Sequence, residues 1–79
     1  SEQLILGLSD PDAKVRRSIA IGFVDHPTPS NSVKLALMDM LNNPQESDRN
    51  RRMAARALEK TGLNSDEKKH VNALLKSFR

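Results

Sequence analysis

Two arginine pairs, Arg16–Arg17 and Arg51–Arg52, carry the most specific chemistry in this chain. A guanidinium offers five donors in a rigid fork that matches a carboxylate or a phosphate. Placed on a helix, Arg49, Arg52 and Arg56 stand at i, i+3 and i+7 and share a face, which Glu59 and Lys60 continue. Stacked helical hairpins would bring Arg17 near Arg52. Together, Arg17, Arg49, Arg52, Arg56 and Lys60 form a candidate face for an anion, a nucleic acid or an acidic protein. The plainer reading is a solvated helix surface, partly neutralised by Asp48 and Glu59. Repulsion among the arginines costs only a few tenths of a kcal/mol per pair.

No constellation in the chain points to catalysis. His26 falls in a Pro-bounded turn and His70 beside Lys69, with no second His or Cys at metal-ligand spacing. There is no G-x-S-x-G and no recognisable triad. The three glycines are too scattered for a phosphate loop. Asp10 and Asp12 are explained by a helix start. Met38, Met40 and Met53 read as core filler rather than an adaptable groove. The expectation is a non-enzymatic protein without cofactor or metal.

These residues must be positioned by a small scaffold. Seventy-nine residues make a single domain. Aromatics are 3% of the chain, so the core must be aliphatic, which suits packed helices better than a sheet. Cysteine is absent, which excludes disulfides and thiol chemistry and favours a reducing, cytoplasmic setting. No apolar run approaches the ~18 residues of a membrane span. The opening SEQLILGLSD lacks a basic region and is not read as a signal peptide. A net charge of +3 permits an acidic partner without requiring one.

Hydrophobic periodicity predicts an all-α chain of about five short helices. The first is SEQLILGLS. Asp10 as N-cap and Pro11 at the first helical position open the second, with Val15, Ile19 and Phe23 as its apolar stripe. Prolines at 27 and 29 end it. Ser30 or Ser32 caps the third, whose stripe is Val33, Leu37 and Leu41, widened by Ala36 and Met40. The fourth starts either at Asn43-Pro44, with Glu46 closing a capping box on Asn43, or after Ser47–Asp48. Its apolar positions are Met53, Ala54, Ala57 and Leu58, and Gly62 closes it. Asn64 or Ser65 caps the fifth, which buries Val71, Leu74, Leu75 and Phe78.

The pattern repeats. Residues 4–11 align with 37–44, pairing Leu4 with Leu37, Leu8 with Leu41, Asp10 with Asn43 and Pro11 with Pro44. After an insertion of two, Arg16 pairs with Arg51, Arg17 with Arg52, Ala20 with Ala55 and Phe23 with Leu58. Two copies of a helical hairpin open an α-solenoid.

LILGLSDPDAKVRRSIAIGF resembles a HEAT-like repeat of the compact type found in phycobilisome-lyase-like proteins. The resemblance rests on the first-helix leucines, Asp10-Pro11, Val15-Arg16, and the small Ala20 and Gly22. The second copy departs from the pattern: Asn43 replaces Asp, its turn is two residues longer, and Asn50 takes the Val position. The resemblance implies hairpins over about 2–24 and 31–62 with a capping helix over about 65–78. It also implies a structural ladder of Asp10, Arg16 and Arg51, in which an Arg–carboxylate pair fixes the stacking of hairpins.

About three repeats are usually needed to bury a solenoid core. Leu4, Ile5, Leu6 and Leu8 cannot all face one core, so they form a candidate apolar docking edge. The leading expectation is a protein–protein interaction or scaffold module. Its partner would be another protein or the rest of a longer helical array, and no membrane is involved. The alternative is a nucleic-acid-binding accessory module that uses the arginine face on the phosphate backbone. A bilin-lyase-like subunit is the remaining expectation that the subfamily resemblance raises.

Overall fold

The computed structural model describes residues 2–27 and 30–78, with side chains from Ile5 onward. Leu4's side chain and Pro29 lie outside the described residues. Five helices follow one another: α1 Glu2–Gly7, α2 Ala13–Asp25, α3 Asn31–Asn42, α4 Asp48–Glu59 and α5 Ser65–Ser77. No strand occurs among the described residues.

Helix α4 is the centre of the packing. It lies against α2, α3 and α5, while α1 packs on α2 and α3. Small residues make this position available to α4: Ala54, Ala55 and Ala57 are fully buried together with Leu58. Three alanines let neighbouring backbones approach closely, and larger residues on the flanking helices fill the layer. Those are Leu37 and Leu41 from α3, Phe23 from α2 and Val71 from α5. The α3 stripe of Val33, Leu37 and Leu41 is buried as its periodicity predicts.

The start of α2 differs from the sequence reading, and the start of α4 takes the later of the two positions the sequence allows, for one reason. Asp10 does not cap α2. Its carboxylate accepts from the Asp12 amide at 2.8 Å, closing an Asx turn around Pro11. Asp12 is the N-cap, with its carboxylate on the Lys14 amide at 2.8 Å. Likewise Asn43 accepts from the Gln45 amide at 2.9 Å, around Pro44. Glu46 makes no capping box with Asn43, and Ser47 caps α4 by accepting from the Asn50 amide. Each Asx side chain is consumed by the proline turn, so a later residue must cap. Asp12 and Ser47 are thus corresponding caps, and Arg16 and Arg51 each lie four residues beyond one.

The inward face of α2 also differs. Val15 is exposed and Ile19 half-buried, whereas Ala20 and Phe23 are buried. The helix is turned so that Arg16, not Val15, leads the inner stripe. Farther on, Gly62 adopts φ +82°, which a Cβ would strain, and turns the chain into buried Leu63. Asn64 then caps α5 in a reciprocal capping box with Glu67.

Candidate functional site

Arg16 reaches across the two hairpins. Its Nε donates to Glu46 Oε2 at 2.6 Å and its Nη2 to Glu46 Oε1 at 3.0 Å. Its Nη1 donates to the Asp10 carbonyl at 2.5 Å. The Glu46 side chain is 2% exposed and that of Arg16 20%. Glu46 Oε1 also accepts from the Asn50 side-chain amide at 3.0 Å and from the Ser47 amide at 3.3 Å. The same Asn50 nitrogen donates to the Ala13 carbonyl at 3.0 Å. The Arg16 fork, helped by the Asn50 and Ser47 donors, holds the Glu46 carboxyl below the usual carboxylate range against the opposing effect of burial. Glu46 in turn raises the Arg16 pKa.

The carboxylate that Arg16 engages is therefore Glu46, and Asp10 contributes its backbone carbonyl. Sequence pattern assigns Glu46 to a capping box on Asn43, and no local signal links it to Arg16 thirty residues away. Asn50 was visible as the departure from the Val position. It is wholly buried, and its Oδ1 has no hydrogen-bond partner among the described residues.

Arg51 acts one hairpin later. Its Nε donates to the Leu41 carbonyl at 2.8 Å, and its guanidinium lies 4.8 Å from the Phe78 ring centroid. Each arginine thus binds a carbonyl at or just beyond the end of the preceding helix, where carbonyls lack intrahelical partners. Arg52 Nη2 donates to the Phe78 carbonyl at the end of α5.

The remaining cations of the predicted face are less gathered. Arg49, Arg56 and Lys60 are exposed and Arg17 is half-buried. An open groove of about 620 Å³ is lined by Val24, Arg52, Arg56, Glu59, Lys60 and Leu75. Arg17 and Arg49 do not line it. Glu59 sits among its cations and reduces their field.

A second open groove of about 680 Å³ runs between α1 and α3. Its apolar lining comprises Ile5, Leu6, Leu8, Leu35, Ala36 and Met40. Leu6 is 71% exposed and Leu35 64%. Of the predicted docking edge, Leu6 is exposed and Ile5 half-buried. Leu8 is instead core, 4% exposed, because α1 packs on both α2 and α3 and turns that side chain inward. Leu35 was not singled out from sequence; the available signal is a leucine lying off the Val33–Leu37–Leu41 stripe.

Among the described residues, no group of three or more His, Cys, Asp or Glu is placed to hold a metal ion. His70 hydrogen-bonds Asn42 at 2.7 Å, tying α5 to α3. No described helix is long and apolar enough to cross a membrane. Comparison of the chain with protein-family models, with curated proteins and with solved structures finds no match.

Proposed function

We propose that this chain is a non-enzymatic protein-interaction module of the HEAT-like type, docking another protein in the groove between α1 and α3. The observation that carries this reading is the pair Leu6 and Leu35. Two large apolar side chains stand mostly in solvent on the walls of one groove, over a partly apolar floor. Covering them removes apolar surface from water at roughly 25 cal/mol per Å². The arginine network supports the scaffold half of the reading, since Arg16 and Arg51 are occupied in joining helices. The composition, free of cysteine, fits a cytoplasmic setting.

Nucleic-acid binding has less support. Arg52 is engaged at the end of α5, Glu59 intervenes between the remaining cations, and Arg17 and Arg49 lie outside the basic groove. The experiment is an NMR titration of isotopically labelled protein at about 0.15 M salt. One arm adds a helical peptide with a leucine stripe; the other adds duplex and single-stranded DNA and RNA. The reading expects peptide-induced shifts confined to α1 and α3. Nucleic-acid binding that falls by about 0.9 log units per log unit of salt for each phosphate contacted, and disappears in Arg56→Glu, would replace it.

A further inference from the structure

The groove between α1 and α3 has a charge opposite in sign to that of the whole chain. The chain carries +3, yet the charged residues lining this groove are Asp10, Asp39 and Glu46 against Arg16 alone. Arg16 and Glu46 satisfy one another. What remains is the charge of Asp10 and Asp39 beside Leu6 and Leu35. Asp39 is exposed, and Asp10 is half-buried with one oxygen on the Asp12 amide. We infer that the segment docked here is a basic amphipathic helix of another protein. Its apolar stripe lies between Leu6 and Leu35, and its flanking Lys or Arg side chains face Asp10 and Asp39. This inference rests on the docking reading above.

The charge argument has two parts. An acidic rim beside an apolar floor rejects an acidic or phosphate-bearing ligand and accepts a cationic one. The rest of the chain works in the same direction, since its net positive charge disfavours a cationic peptide away from an acidic groove. Non-specific association with this chain would favour an acidic peptide, so a preference for a basic one reports on the groove itself.

The test uses two synthetic helical peptides with the same leucine stripe, one flanked by lysines and the other by glutamates. Calorimetric titration is run at low salt and at about 0.15 M. The lysine peptide should bind about tenfold tighter at low salt, with the gap narrowing as salt screens it. Asp39→Lys should erase most of the preference without lowering thermal stability. Leu35→Gln, at an exposed position, should weaken both peptides. Equal affinities, or a preference for the glutamate peptide, would overturn the charge inference while a Leu35→Gln effect leaves the docking reading standing. No binding of either peptide, or binding indifferent to Leu35→Gln, would overturn both.

Discussion

Arg16 and Glu46 are thirty residues apart in sequence and meet through two parallel N–H···O contacts, of 2.6 and 3.0 Å. One end of this clamp sits in the first turns of α2. The other sits in the loop before α4. It joins the two hairpins where α2 and α4 pack.

Removing the arginine leaves Glu46 buried without its main partner. Arg16→Ala should destabilise the fold by about 3 kcal/mol, the lower part of the range for breaking a buried pair, because Arg16 itself is partly solvated. Arg16→Lys keeps the charge and loses the fork, and should cost about half as much. Arg16→Met with Glu46→Leu should recover most of the loss. Urea denaturation of the three variants checks the series, and a double variant as weak as Arg16→Ala would contradict the pairing.

The same clamp sets an acid response. Glu46's pKa is lower in the folded state than in the unfolded chain, so its contribution is fully present above the unfolded value near ~4.3. It is lost as pH falls through the lower, folded value. Half-buried Glu67 has the same sign, from the Asn64 amide first and Lys34 second. Stability measured against pH should be flat from neutrality to about pH 5 and fall below about pH 4. Glu46→Gln should flatten that fall; an unchanged acid limb would place the acid sensitivity elsewhere. Arg16, raised from an already high value, adds no dependence in this range.

Asn50 tests the buried polar cluster from the other side. Asn50→Asp removes the donor to Ala13 and Glu46 and sets a second carboxyl beside the first. The new group's folded pKa should rise above its unfolded value, so its effect is mildest below about pH 3.9 and worsens as pH rises through the folded value. The variant should therefore lose most stability at neutral pH, by about 3 kcal/mol or more. A neutral-pH loss no larger than that of Asn50→Ala would show that the site is wetter than its zero exposure indicates.

Two glycines should respond in opposite directions. Gly62 has φ +82°, and Gly62→Ala should cost about 1 kcal/mol from backbone strain alone, since nothing lies near its missing Cβ. Gly22 sits inside α2 with the same open space and an ordinary helical backbone. Gly22→Ala should stabilise by about 0.5–1 kcal/mol. Thermal melts of the two variants should bracket the parent; both falling on one side would contradict the local geometry.

The helices were legible because their signals are local. Val33, Leu37 and Leu41 declare α3 by spacing, and Asn64 or Ser65 marks the start of α5, where the structure selects Asn64. The arginines' partners were not legible in the same way. Asp10 before Pro11 reads as the α2 cap, but an Asx–Pro turn consumes its carboxylate and Asp12 caps instead. Glu46 becomes a core residue only because Arg16 arrives from another hairpin, and Val15 yields the inner stripe to Arg16 for the same reason. Leu6 lies in α1 and Leu8 one residue past its end, and only the packing of this segment on α2 and α3 sorts one outward and the other in. The groove between α1 and α3 depends on Leu35 as much as on α1, and no periodicity links the two.

The measurement that tests the docking account most directly uses the chain's lack of cysteine. Ser32→Cys lies on the α1–α3 groove and Glu59→Cys on the basic groove, both at exposed positions. Each variant is labelled with an environment-sensitive dye and titrated with a leucine-striped, lysine-flanked helical peptide and with duplex DNA at about 0.15 M salt. The account predicts a saturable peptide response at position 32 and none to DNA at position 59. A saturable DNA response at position 59, with position 32 silent to the peptide, would contradict it.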